Sequence, residues 1–184
     1  MRIAFAGTHY SGKTALIQAL LEKMPEYESF EEPYWILAEL GRHFSYPPSI
    51  DEFEDQLDFS IKLIKESPPN SLFDRSPLDF LAYALAVAEM NSEEFDSEAW
   101  ESKIEKIVPS LDLIVYVPLE HPDRIRIPAS QDKEFRKLVD EKLRELIMRD
   151  SREIVNTNVL EVTGTLSERM KKIKQFLSDK AAGF

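Results

Sequence analysis

The chain has 184 residues, 43% hydrophobic and 31% charged, enough for one soluble domain with a real core, read as a single unit over 1–184. It has no cysteine, which excludes disulfides, zinc–thiolate centres and cysteine nucleophiles and agrees with a reducing, cytoplasmic setting. The formal net charge of −11 argues against a nucleic-acid partner, which needs a basic surface, but permits a small anionic ligand in a local positive field.

Arg2 to Ala6 is a short apolar run that stops at Gly7 and predicts a buried central parallel strand. Its apolar part, Ile3 to Ala6, is too short for a signal-peptide core. Thr14 to Met24 has Leu16, Leu20 and Met24 at helical spacing, with Pro25 as the stop. Tyr27 to Phe30 is a candidate strand ending at Glu31-Glu32-Pro33, and Tyr34 to Phe44 a candidate helix broken by Tyr46-Pro47-Pro48. Ser49 and Glu52 form a capping-box pattern before the amphipathic stripe Ile50, Phe53, Leu57, Ile61, Ile64. Ser71 to Phe73 predicts another strand, ending at Asp74-Arg75-Ser76. Pro77 then opens a helix running to about Met90.

The longest apolar stretch, Phe80 to Ala88, lies in that helix; it is too short to cross a membrane and reads as a helix buried on most sides. Trp100, Ile104, Ile107 and Val108 mark a further helix, and Leu113 to Val117 a strand stopped by Pro118. Leu119 to Gln131 has two more prolines and no period, so it reads as a loop. Phe135, Leu138, Val139, Leu143, Leu146 and Ile147 stripe another helix. Val159 to Val162 is a last short strand, and Leu166, Met170, Ile173 and Leu177 line a closing helix. Strands alternating with helices imply a three-layer α/β fold, with about five parallel strands and helices on both faces.

Gly7-Thr8-His9-Tyr10-Ser11-Gly12-Lys13-Thr14 matches G-x-x-x-x-G-K-[ST] in full, between a strand and a helix. This is the phosphate loop of the P-loop NTPases. Its glycines let successive N–H groups turn toward phosphate oxygens, and the following helix adds its positive end. Lys13 reaches the β- and γ-phosphates and Thr14 supplies a hydroxyl to Mg²⁺. ATP and Mg²⁺ are therefore the expected cofactors. His9, in mid-loop, reads as a loop residue rather than a catalytic base.

Ligands of open parallel sheets bind at the carboxyl ends of the strands. The ends here carry Glu31-Glu32-Pro33-Tyr34-Trp35, then Asp74-Arg75-Ser76-Pro77, then a loop with Asp123, Arg124 and Arg126. A small-molecule kinase needs a carboxylate to take the hydroxyl proton, another for the Mg²⁺ shell, and arginines for the transferred phosphoryl group. A mobile arginine-bearing loop could close over the triphosphate.

The phosphate loop, Glu32-Pro33 with Trp35, Asp74-Arg75-Ser76 and the arginine-bearing loop together resemble the deoxynucleoside and thymidylate kinase branch of P-loop kinases. Asp123-x-x-Arg126, Asp132 and the long helix after them also resemble ribosylnicotinamide kinase and its AAA-like ATPase relatives. The resemblance covers most of the chain in order, but only the phosphate loop is highly specific. It implies that Glu32 is the general base, that Asp74 holds Mg²⁺ or shares the base role, and that Arg75 contacts the acceptor or the phosphoryl group. It makes Arg126, with Arg124, the lid arginines, and Gln56 a reader of a nucleobase edge. The lid lacks a dense arginine run, and the region after Glu32-Pro33 lacks the glycines of thymidylate kinases. An uncharged nucleoside-like acceptor therefore fits better than a nucleotide.

Plainer readings compete. Glu31 and Glu32 could be solvated acids before a helix, Arg75 could serve a surface carboxylate, and Gln56 could face solvent. Phe80 belongs to the core, Trp35 and Tyr34 stay open, and Lys171-Lys172-Ile-Lys174 reads as a solvated helix face. Two other functions compete as well. A nucleotide-dependent switch or ATPase acting on a protein partner shares the loop. However, no Asn-Lys-x-Asp segment is present, and Leu72-Phe73-Asp74-Arg75 has Arg where a motor ATPase has Glu. A polynucleotide 5′-kinase would need a basic groove, against the net charge. Small P-loop kinases are often dimers, so a homodimer stays open.

Overall fold

The computed structural model describes residues 1–129 and 131–182. Five strands form one sheet: β1 (Arg2–Ala6), β2 (Glu28–Phe30), β3 (Ser71–Asp74), β4 (Leu113–Tyr116) and β5 (Asn158–Glu161). Their order is β2-β3-β1-β4-β5 and every pairing is parallel. Among the described residues seven α-helices connect or follow them: α1 (Lys13–Leu21), α2 (Pro33–Glu39), α3 (Ile50–Glu66), α4 (Pro77–Asn91), α5 (Glu98–Ile107), α6 (Lys133–Leu143) and α7 (Leu166–Ala182). A π turn, Arg144–Met148, extends α6, and a short 3₁₀ turn follows α5. Among the described residues no helix is long and apolar enough to cross a membrane.

The two-residue alternation of β1 explains the three layers. Ala4 and Ala6 point to one face, where they join the core made with α3, α4, α5 and α6. Ile3 and Phe5 point to the other, against Leu16, Leu20 and Ile173 of α1 and α7. Each fully buried Phe or Leu contributes about 1.5–3 kcal/mol. Helix α4 is enclosed along nearly its whole length, as its apolar run predicts.

The register sets the site. Phe5 of β1 is level with Asp74 of β3, and Phe30 of β2 with Phe73. The residues that follow these strands therefore emerge side by side at one edge of the sheet.

The predicted elements are all present, with shifted ends. Helix α2 stops at Glu39 instead of reaching Phe44. Gly41, at φ +92°, donates its N–H to Ala38, and Arg42 donates back to Leu37, a Schellman closure that turns the chain away. Helix α1 ends at Leu21, three residues early, in a run of tight turns. Strand β5 begins and ends one residue before the predicted span.

Candidate active site

The phosphate loop leaves β1 at Gly7. A Cβ there would lie 2.5 Å from the Val117 carbonyl oxygen, so only glycine lets the loop pass the residue that follows β4. Gly12, at φ +95°, begins the turn into α1, with Arg169 and Ile125 hard against it. Lys13 is 5% exposed, and its ammonium donates to the carbonyls of Gly7 at 2.8 Å and Thr8 at 3.0 Å. Burial, and then Arg75, pull its pKa below the ordinary value, against the opposing pull of Asp74, Asp79 and Glu32.

Thr14 Oγ1 donates to Asp74 Oδ2 at 2.6 Å. The other oxygen of Asp74, Oδ1, is buried and has no hydrogen-bond partner among the described residues. A hydroxyl and a carboxylate with a spare buried oxygen form a hard donor set that suits Mg²⁺. No cluster of three or more His, Asp or Glu side chains among the described residues could hold a metal unaided. The residues thus fit an ion that brings phosphate oxygens with it.

Arg75 is the junction of the site. It is buried, and its backbone sits at φ 110°, costly for a bulky residue and of the kind that accumulates at functional sites. Its Nε donates to Glu32 Oε1 at 2.6 Å, and its Nη1 to the Gly7 carbonyl at 3.1 Å and to Asp79 Oδ1 at 3.4 Å. The guanidinium lies 4.8 Å over the Tyr83 ring. Burial would lower its pKa, but Glu32, Tyr83 and Asp79 outweigh burial and hold it above the usual arginine value.

Asp79 is fully buried. One oxygen takes the Gly7 N–H at 3.0 Å and the other caps α4 through the N–H and hydroxyl of Ser76, at 2.9 and 2.7 Å. Burial pushes its carboxyl upward, against Arg75 and Lys13. Tyr83 holds His9: its hydroxyl accepts the His9 N–H at 2.9 Å and meets Nδ1 at 3.0 Å. Burial, then Arg75, Arg136 and Lys13, bring the His9 pKa down to about 3. The imidazole is thereby neutral at ordinary pH.

Beside the loop lies a cavity of about 950 Å³, whose walls include His9 to Ala15, Glu32, Asp74 and Arg75. The same cavity is lined by the aromatics Tyr34, Trp35, Phe44, Phe53 and Phe135, and by Gln56. Tyr34 stacks on Phe44 at 4.6 Å and meets Trp35 edge-on at 4.9 Å. Trp35 is 58% exposed and stands at the rim, while Gln56 is buried with its amide bonded to the Glu52 carbonyl at 3.0 Å. Tyr10, in the left-handed region, also faces the cavity. The Ser11 hydroxyl is buried and unpartnered among the described residues, and Thr8 is buried.

The fold thus gathers Lys13, Thr14, Glu32, Asp74, Arg75, Trp35 and Gln56 around one cavity. It does not bring the two lid arginines there. Arg124 is exposed and paired with Glu120 at 2.6 Å, Arg126 is exposed, and neither lines the cavity. Two other arginines reach the phosphate loop instead, Arg136 from α6 and Arg169 from α7. No local signal marks them, because each reads as a polar position on an amphipathic helix. Asp79 did carry a signal, the Ser76-x-x-Asp79 capping-box spacing.

The phosphate-loop motif at the end of β1 of a parallel sheet defines a P-loop protein. The AAA domain family matches residues 2–169, and the chain belongs to that family. No curated protein matches the chain. Among solved structures, the deoxyadenosine kinase from M. mycoides with the products dCMP and dCDP bound superposes with a TM-score of 0.67 at 17% identity, covering 97% of this chain and 99% of that one. The thymidylate kinases of Candida albicans and Ehrlichia chaffeensis each match with a TM-score of 0.67 at 14% identity. The Candida match covers 98% of this chain and 92% of that one, the Ehrlichia match 96% and 98%. At these identities the likeness establishes a shared fold.

Proposed function

We propose that the protein transfers the γ-phosphoryl group of Mg·ATP to a hydroxyl of an uncharged, nucleoside-like acceptor. One observation carries this reading: Glu32 is fixed by Arg75 on the wall shared by the phosphate loop and an aromatic cavity. A switch ATPase needs room for water there, whereas a cavity of about 950 Å³ suits a base and its sugar. In the proposed reaction Glu32 takes the proton as the acceptor oxygen bonds to the γ-phosphorus. The bond from that phosphorus to the bridging oxygen breaks, and ADP leaves.

Lys13 and the loop N–H groups hold the β- and γ-phosphates, and Thr14 and Asp74 would hold Mg²⁺, which neutralises the developing charge. Trp35 and Gln56 are assigned to the acceptor base. Arg75 commits Nε and Nη1 to Glu32, the Gly7 carbonyl and Asp79, and its Nη2, which makes no hydrogen bond to the described residues, is assigned to the acceptor or the transferred phosphoryl group. Arg124 and Arg126 are assigned to the donor side, reached when their segment folds over the triphosphate. The proposed partners are thus a nucleoside triphosphate and a small molecule, with no nucleic acid or membrane.

The second reading, an ATPase acting on a protein partner, is favoured by membership of the AAA domain family. Measuring ADP and free phosphate with and without a nucleoside panel that includes ribosylnicotinamide separates them. Acceptor-dependent ADP without matching phosphate supports the kinase. Equal ADP and phosphate regardless of acceptor supports the ATPase.

A further inference from the structure

The outer side of the phosphate loop is gripped by two arginines from distant parts of the chain. Arg136 donates from Nε to the His9 carbonyl and from Nη2 to the Tyr10 carbonyl, each at 2.9 Å. Arg169 donates from Nη1 to the Ser11 carbonyl at 2.8 Å and from Nε to the Gly164 carbonyl at 3.0 Å. They are only 4% and 6% exposed, and neither lines the cavity. Each also holds an acid from the segment after β4: Arg136 pairs with Asp123, and Arg169 with Glu120 at 2.8 Å. Glu120 takes a third donor, the Gly164 N–H at 2.9 Å.

Three successive loop carbonyls are thus turned toward guanidiniums. A trans peptide carries its C=O and its N–H on opposite sides. Holding the carbonyls of His9, Tyr10 and Ser11 outward therefore turns the N–H groups of Tyr10, Ser11 and Gly12 the other way, to the side on which these residues wall the cavity. Inward N–H groups are what a phosphate loop uses to bind its ligand. The planar fork of Arg136 serves two carbonyls at once, which a lysine ammonium on its single stem does not reproduce.

We infer that Arg136 and Arg169 are positioning residues for the triphosphate, presetting the inward N–H groups of the loop, and that through Asp123 and Glu120 they also fasten the start of the 118–129 segment to it. The inference rests on the reading that the loop takes Mg·ATP. Neither arginine touches nucleotide in this account; both act through the loop backbone.

The test measures Mg·ADP binding by calorimetry to the unaltered chain and to Arg136→Met, Arg169→Met, Arg136→Lys and Arg169→Lys. The ¹⁵N–¹H shifts of Tyr10, Ser11 and Gly12 are recorded without nucleotide. The expected result is a roughly tenfold or greater weakening in the Met variants, in line with losing hydrogen bonds from a charged donor. Loop amide shifts should change while shifts of the sheet do not. The Lys variants, which keep the charge, should stay near the Met variants. Should a Met variant fail to fold, its Lys counterpart carries the same expectation. Binding within about twofold of the unaltered chain in the Met variants, or full recovery in the Lys variants, overturns the inference. Failure of the unaltered chain to bind Mg·ADP overturns the phosphate-loop reading beneath it, a separate outcome.

Discussion

In the proposed reaction Lys13 and Glu32 bear the chemistry most directly, and they should fail differently. Lys13→Ala removes the cation assigned to the β- and γ-phosphates, so both nucleotide affinity and turnover should collapse, with phosphoryl transfer down by roughly 10²–10³ or more. Glu32→Gln keeps the shape and a partner for Arg75 but cannot take a proton. Turnover should fall by about 10²–10⁴ with Mg·ADP affinity nearly unchanged, as steady-state kinetics and calorimetry would read. An unchanged turnover in Glu32→Gln would remove it as the base. His9 gives a pH prediction. Its pKa is depressed from 6.5 to about 3, so the unfolded chain binds the proton more readily. The stability from neutral His9 is complete above pH 6.5 and is lost as pH falls toward about 3. Urea unfolding at pH 7.5 and 4.5 should show a larger acid loss for the natural chain than for His9→Asn.

The elements near the site hold it by capping and closure as much as by burial. Asp79 caps α4 and holds Gly7 and Arg75 with the same carboxylate. Asp79→Ala strands the buried Arg75 with less compensation and frees the helix start, so denaturant unfolding should show a loss of about 3–5 kcal/mol. Gly41→Ala is a milder case. Among the described residues, no atom beyond its chain neighbours lies within 4 Å of where its Cβ would go, so its expected cost, roughly 1 kcal/mol, comes from the left-handed backbone alone. Most element types were legible because their signals are local: apolar runs of four or five residues for β1 and β4, stripes at three and four for helices. Element ends were less so. The Tyr34–Phe44 period continues past Gly41, and the Schellman closure that stops α2 depends on backbone geometry that spacing does not carry.

The site as a unit was partly legible for the same reason. Gly7 to Thr14, Glu32 and Arg75 follow strands and Asp74 ends one, and parallel order alone gathers strand ends at one edge. Gln56 sits on a helix whose stripe gives its face but not its neighbour. Arg136, Arg169 and Tyr83 reach the loop across 74 to 158 residues of sequence, through packing of α4, α6 and α7 that no short pattern encodes. The assembled site should also couple ligand to fold: Mg·ADP at about 100 times its Kd should stabilise the chain by about 2.7 kcal/mol, read as a rise in Tm. Acceptor-dependent phosphoryl transfer tests the central claim most directly. With Mg·ATP and a nucleoside panel, the account predicts ADP formed in step with a phosphorylated nucleoside and without equal free phosphate. ADP and free phosphate released in equal amounts, whatever nucleoside is present, would contradict it.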